Sequence, residues 1–302
     1  MLEVNLCGNK LRNPLILASG IRGNSAGLLI RAAKEGAGAA TSKSCSLLPR
    51  EGHANPTMVG TDGMYMNAIG LSNPGVDEEI EEIREAVSKA GIPIIASVYA
   101  RDVPDFAEVA RRISVAKPQL IEIDISCPNV HREGEMFSSY PKDASEVCAA
   151  VREATHIPFS AKLSPDVPNI GEIAAACVES GAGCITAINT VGGMHIDAHA
   201  RKAVLANSFG GISGAAIKPV ALKAVYNIRR AIGGKVPIIG TGGVACGRDA
   251  IEMIMAGATA VGVGTAIAQR KGPAPFTAIA KEMEAFMRQE GYGKLSLLAL
   301  EE

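Results

Sequence analysis

The chain of 302 residues has no excess of either charge: 30 Lys and Arg face 31 Asp and Glu, a net charge of -1. That excludes the broad positive surface on which nucleic-acid and membrane-surface binding depend, so neither partner is expected. The sequence has no apolar run near the roughly 18 residues a membrane span needs. Its N-terminus, MLEVNLCGNK, has no basic stretch followed by an apolar core, so no secretory signal is expected and the cytoplasm is the expected compartment. No two cysteines form a C-x-x-C pair, and their number, seven, is odd. This argues against a disulfide framework, an iron–sulfur cluster and a zinc site, and no metal site is expected. No low-complexity linker divides the chain, so one domain over residues 1–302 is expected.

What is present is an alternation. Eight β-rich runs, at 13–20, 39–44, 93–99, 119–127, 158–165, 184–191, 237–243 and 260–267, read as continuous apolar stretches, as strands buried on both faces should. A helical pattern follows each, and many of these end in Gly, a helix-stop signal. Asp77 and Asp143 are candidate N-caps. Cys148, Cys177 and Cys184 stand in Ala-rich or apolar surroundings and read as small core residues. Eight strand–helix units in a chain of this length predict an α/β fold, a single-domain (β/α)8 TIM barrel. The competing doubly wound sheet is disfavoured because no glycine fingerprint follows the first strand. Two insertions, residues 45–75 and 192–213, are too long to be connectors, and long loops after barrel strands build the active-site face.

Reactive residues in such a barrel belong where strands end. The strand ends carry Ser19, Lys43, Ser97, Cys127, Lys162, Asn189, Thr190, Gly242, Gly243, Gly264 and Thr265. Two lysines, a cysteine and an asparagine converging on one mouth exceed what packing requires. The glycine-rich ends GTGGV and GVGTA suit backbone N–H binding of a phosphate. Together with the lysines they predict a phosphate-bearing cofactor. Flavin mononucleotide (FMN) fits a barrel mouth, and a lysine at its pyrimidine edge would stabilise the anionic reduced ring. Cys127, at the end of EIDISC, reads as nucleophile, general base or inert thiol. A metal ligand is disfavoured, since none of the five histidines has ligand-like spacing with it. A thiol near pKa ~8.5 is a sensible base for a carbon-bound proton. A Pro128–Asn129 turn behind it would hold the side chain, and VHREGEMFSSYPKD after the turn is a candidate lid.

The set NPLILASG, SKS, PREGH, NAIGLSNPG, ISCPNV, AKLSPDV, INTVGGMHID, GGISGAAIKP, GTGGV and GVGTA resembles the dihydroorotate dehydrogenase family, most closely its class 1B catalytic subunits. The resemblance runs from about residue 4 to the last strand. It implies an FMN barrel that oxidises dihydroorotate to orotate in pyrimidine (UMP) biosynthesis. Cys127 would take the C5 proton while C6 delivers hydride to the flavin. Lys43 would touch both flavin and substrate. Asn67 and the backbone of Ala68, Ile69, Gly70 and Leu71 would bind the orotate ring and carboxylate, with Asn189 and Thr190 opposite. Asn129 is a further substrate contact. Ser19, Ser44, Lys162, Ile188, Gly214, Gly242, Gly243, Gly264 and Thr265 would hold the flavin. The resemblance also implies a second subunit carrying FAD and a 2Fe–2S cluster, which passes electrons to NAD in a two-plus-two heterotetramer around a homodimer core. This chain carries no motif for either group.

Two positions depart from the family pattern. Asp124 stands where the family has an asparagine touching both flavin and substrate, and Ser97 replaces a flavin-binding asparagine. A carboxylate facing anionic orotate is repelled unless protonated or paired, with Lys162 or Lys43 as the available partners. Asp124 therefore also favours an alternative, a flavin barrel acting on a neutral dihydropyrimidine, as in dihydropyrimidine dehydrogenase. Such proteins have His after Cys-Pro, where this chain has Asn129. A tRNA dihydrouridine synthase would carry a basic surface, which the charge balance lacks. A non-catalytic flavin scaffold would lack the thiol or the lysines.

Overall fold

A computed structural model of the chain describes residues 1–61, 63–127, 136–269 and 275–300. A hairpin of β1 (Val4–Leu6) and β2 (Asn9–Leu11) precedes β3 (Leu15–Leu17), α1 (Ala26–Lys34) and β4 (Ala39–Thr41). The first insertion carries β5 (Met58–Thr61) and β6 (Met64–Asn67), and α2 (Val76–Lys89) follows. The chain continues through β7 (Ile94–Val98), α3 (Val103–Ile113), β8 (Leu120–Asp124), α4 (Pro141–Ala154), β9 (Phe159–Leu163), α5 (Ile170–Glu179) and β10 (Cys184–Ala187). The second insertion holds β11 (Val191–Met194), β12 (Ile196–Asp197), β13 (Lys202–Ala203) and β14 (Phe209–Gly214). Then come α6 (Lys218–Ile232), β15 (Ile238–Thr241), α7 (Gly247–Met255), β16 (Ala260–Val263), α8 (Thr265–Gln269) and α9 (Phe276–Gln289).

The strands β3, β4, β7, β8, β9, β10, β15 and β16 are parallel and close into a barrel, β16 pairing back onto β3. This is the TIM barrel that the alternation predicts, and each of its strands lies inside a predicted run. Among the described residues no helix is long and apolar enough to cross a membrane.

Strand side chains alternate between the barrel interior and the helix-facing side. On β8 Ile121 and Ile123 join the helix-packed core, while Leu120 faces a separate interior cluster. That cluster also holds Ile16, Ala39, Ile95, Cys184, Ile239 and Ala260. Leu6 and Leu11 of the β1–β2 hairpin belong to it, so the hairpin plugs the barrel at the end where strands begin. The predicted core cysteines Cys148, Cys177 and Cys184 are all fully buried. Going up each strand the interior turns polar: Leu120 gives way to Glu122 and Asp124, Ile95 to Ser97, and Cys184 to Thr186. A buried polar layer has to be satisfied internally, which concentrates the hydrogen bonding at the C-terminal mouth.

The two insertions form one structure over that mouth. Their strands make an antiparallel sheet in the order β11-β14-β6-β5, with Gly211 opposite Asn67 and Val191 opposite Ile212.

The N-caps expected at Asp77 and Asp143 are corrected. Gly75 caps α2 and Tyr140 caps α4, so both aspartates lie inside the first turn. There the positive end of the helix dipole favours them without a capping bond. Side-chain caps are supplied instead by Ser25, Asp102 and Asn169, which accept from the N–H of Leu28, Asp105 and Glu172.

Candidate active site

Asp124 and Lys162 are direct register partners across the parallel pair β8–β9. Their side chains meet inside the mouth, Lys162 Nζ at 3.2 Å from Asp124 Oδ2 and 3.8 Å from Glu122 Oε1. Asp124 Oδ1 also accepts from Ser126 Oγ at 2.5 Å and Ser126 N at 3.1 Å. Burial opposes the charge of Asp124, but the Lys162 ammonium and the Ser126 bonds hold its carboxyl below the ordinary aspartate range. Burial likewise pulls Lys162 down, and the two carboxylates overcome it, leaving the ammonium above the ordinary lysine range. Of the pairings open to Asp124 in the sequence, the structure makes the one with Lys162.

The pair belongs to a chain of polar contacts crossing the mouth. Ser19 Oγ lies 3.2 Å from Ser44 Oγ, which lies 2.9 Å from Ser97 Oγ. Ser97 donates to Glu122 Oε1 at 3.1 Å. On the far side Asn189 Nδ2 donates to Ser126 Oγ at 2.8 Å, and the Asn189 backbone N–H bonds Leu163 O. Five of the predicted residues, Ser19, Ser44, Ser97, Asp124 and Asn189, are thus tied to Lys162 through side chains. Ser97 is fully buried, with its hydroxyl turned into this network. Glu122, which the sequence reading did not single out, joins the two halves. Burial pushes its carboxyl above the ordinary glutamate range. The signal that would have found it is alternation: Glu122, Asp124 and Ser126 share one face of EIDIS opposite three isoleucines.

Lys43 stands two residues beyond β4, half-buried. Burial, helped by the Lys162 ammonium, pulls it below the ordinary lysine range. Cys127, three residues beyond β8, is also half-buried. A thiolate there would act on Lys43, Lys162 and Tyr99, so the cysteine lies within electrostatic reach of both ammonium groups. Asn129, the Pro128–Asn129 turn and residues 130–135 of the candidate lid lie outside the described residues.

The loop after β6 is held by residues that the reading of strand ends passed over. Asn73 Nδ2 donates to Leu71 O, Tyr99 Oη and Ser46 Oγ, and its Oδ1 accepts from Ser46 N and Gly75 N. Tyr99 Oη donates to Leu71 O at 3.1 Å. Leu71, at φ 61, and Gly70, at φ 75, make the turn. The Ala68 N–H bonds Thr57 O and the Ile69 carbonyl accepts from His53 N, so those two groups serve the loop itself. Asn67 Nδ2 reaches Gly211 O at 3.4 Å, joining the two insertions. Thr190 packs against Gly211, where a Cβ would stand 1.9 Å from its Oγ1.

The glycines at the last strand ends differ in kind. Gly243 has φ +75, and a Cβ there would meet Lys218 Cβ at 2.5 Å, so α6 packs directly on the backbone. At Gly264 the nearest atoms to a Cβ, in Ala18 and Ile21, are 3.7 Å away, an ordinary contact. Among the described residues no close contact demands a glycine at 264, next to Thr265. Thr265 Oγ1 donates to Ser213 Oγ, next to Gly214 on the inserted sheet. Ile188 is buried beside Gly242.

The profile of the dihydroorotate dehydrogenase family matches residues 1–287. A dihydroorotate dehydrogenase B (NAD(+)) catalytic subunit of Methanocaldococcus jannaschii is 45% identical over 293 residues, covering 96% of this chain and 94% of that protein. The protein of the same name from Methanosarcina mazei is 42% identical, covering 97% and 93%. That of Pyrococcus abyssi is 40% identical, covering 98% and 97%. The crystal structure of an Eimeria tenella dihydroorotate dehydrogenase in complex with ferulenol superposes with a TM-score of 0.85, covering 98% of this chain and 87% of that one. At 21% identity that likeness speaks for the fold alone.

Proposed function

The chain belongs to the dihydroorotate dehydrogenase family, and from that premise we propose that it oxidises dihydroorotate to orotate in pyrimidine biosynthesis, with FMN as resident cofactor. The observation that carries the reading is that Cys127, Lys43 and Lys162 stand at or just beyond the C-terminal ends of β8, β4 and β9, within electrostatic reach of one another. The names of the relatives, all NAD(+)-linked type B catalytic subunits, support the substrate and the acceptor.

The residues fit the cofactor. The backbone at Gly264, next to Thr265 and near Gly214, carries no side chain that would keep a phosphate from its N–H groups. Two buried ammonium groups suit a ring that gains negative charge on reduction. When bound, FMN would supply the acceptor for the hydride leaving C6 of the substrate. Cys127 Sγ would take the C5 proton; it follows Ser126, whose hydroxyl is bonded to Asp124 and Asn189. Lys162 would hold positive charge near a bound flavin. Lys43 would touch both flavin and substrate. Asn67, Asn189, Thr190 and the turn at Ile69–Leu71 orient the ring. Electrons leave to NAD through a partner subunit with FAD and a 2Fe–2S cluster, in a two-plus-two assembly in the cytoplasm. The relatives' designation as catalytic subunits supports the partner chain.

Asp124 was the residue that favoured a neutral dihydropyrimidine. Its pairing with Lys162 directs the carboxylate at the lysine and weakens that alternative. Anaerobic mixing decides between them. The purified protein should be yellow and should bleach with dihydroorotate. Bleaching with dihydrouracil alone would select the neutral substrate, and a colourless protein that binds no FMN would end the flavin reading.

A further inference from the structure

The helix α2 turns Val76, Glu79, Ile83 and Ala86 toward the protein, so Glu79 occupies a place in its apolar stripe. The residue is 2% exposed. It lines a cavity of about 190 Å³ together with Asn24, Ser72, Asn73, Pro74 and Lys43. Among the described residues Glu79 forms no ion pair at contact distance, although Lys43 faces it across the cavity and favours its charge. A buried carboxylate and a half-buried ammonium that share a cavity without touching form an adjustable pair, because either can be drawn to a third charge.

We propose that Glu79 is a positioning residue for the anionic end of the substrate, balancing Lys43 in the empty site and taking up a solvent proton when a substrate carboxylate arrives there. The proposal rests on the reading that Lys43 meets an anionic dihydropyrimidine. Two carboxylates facing one buried ammonium repel each other, and the site relieves this by neutralising the one that is not the ligand. Burial has already pushed Glu79 up to about 7, so the proton is available near neutral pH. Other charged and titratable groups act on Glu79 and Lys43 from the elements around them. Glu82, also on α2, accepts from Ala26 N, and burial pushes the Cys45 thiol far up. Asp124 is held ionised by Lys162. Ser42, Asn24, Ser72 and Asn73 carry no titrating proton. Cys127 faces Lys43 from the other side, and it is separated from Glu79 by the choice of variant below.

The complex then holds a proton that the free protein releases as pH rises, so affinity is full at low pH and falls as pH climbs past the free value of Glu79. The test is titration of the FMN-loaded protein with orotate at pH 6 and pH 8.5, with calorimetry in two buffers of different ionisation heat to count protons. The parent should bind on the order of tenfold more weakly at pH 8.5 and take up a fraction of a proton per orotate. Glu79→Gln should bind tightly at both pH values without that uptake, and Glu79→Asp should restore the pH slope. An equal slope in the parent and Glu79→Gln overturns the proposal. So does zero proton uptake by the parent, a result that needs no variant to fold. Orotate that fails to bind at either pH overturns the dihydroorotate reading itself, a different outcome from binding without a slope.

Discussion

Lys162 Nζ lies 3.2 Å from Asp124 Oδ2, and the backbones of the two residues are direct neighbours across β8 and β9. A charge buried this deeply is tolerated because its counter-charge is fixed by strand register, not by a flexible loop. Asp124→Asn keeps the shape and removes the anion. It should cost about 3 kcal/mol at neutral pH, because Lys162 is left with Glu122 alone. The sign with pH follows from the lowered carboxyl of Asp124. Its stabilisation is present above the unfolded aspartate value of about 4 and is lost as pH falls through the folded value. Denaturant melts should therefore show a gap between parent and variant at pH 7 that closes toward pH 3.

The same substitution tests the site. With the buried anion gone, the mouth is more positive, and orotate should bind several-fold more tightly to the FMN-loaded Asp124→Asn protein. Weaker binding would mean that Asp124 accepts a hydrogen bond from the ligand instead of acting through Lys162.

Two glycines at the last barrel-strand ends should behave in opposite ways. Gly264→Ala adds a methyl group that meets protein atoms at 3.7 Å, so the fold should survive with its melting temperature little changed. If a phosphate rests against that backbone, FMN affinity should fall at least tenfold, about 1.4 kcal/mol. Gly243→Ala places its methyl 2.5 Å from Lys218 Cβ at φ +75, and should destabilise the apoprotein itself. Flavin absorbance after gel filtration and thermal melts of the apoproteins separate the two effects.

Cys127→Ala should retain the yellow colour, since the thiol is offered as a base and not as a flavin ligand. Single-turnover bleaching by dihydroorotate should slow by about 100-fold or more, within the range for loss of a general base. A variant that bleaches as fast as the parent would return Cys127 to the inert reading.

Much of this architecture is legible in the chain because the barrel strands are buried on both faces and so appear as unbroken apolar runs such as PIIASVY and PIIGTGG. The strands of the insertions escape that logic. β5, β6 and β11 are four residues each, rich in Met and Gly, and the sheet they form is half-covered. The hairpin plug has three-residue strands that leave no periodic signal. At the site, strand ends find Lys43, Cys127 and Lys162, but residues that act from an element's interior are hidden by their context. Glu79 sits in VDEEIEEI, where four glutamates read as a solvated face; its spacing from Val76 and Ile83 is the only mark of burial. Asn73, in SNPG, reads as a turn residue until the hydrogen bonds of its side chain are seen.

That burial gives Glu79 a stability signature independent of any ligand. Its folded carboxyl is pushed up to about 7, against an ordinary value of 4.5. A raised carboxyl means that the folded state holds the proton more tightly than the unfolded chain does. Below the unfolded value both states are neutral at this position, and Glu79→Gln should change stability little. As pH rises from there to the folded value, the parent must increasingly either keep a proton that water would take or bury a charge, and it loses stability relative to the variant. Above the folded value the loss is complete, at about 3 kcal/mol for a shift of this size. Glu79→Gln should therefore melt with the parent at pH 4 and well above it at pH 8. Superimposed curves at pH 8 would mean that the carboxylate is already solvated in its cavity.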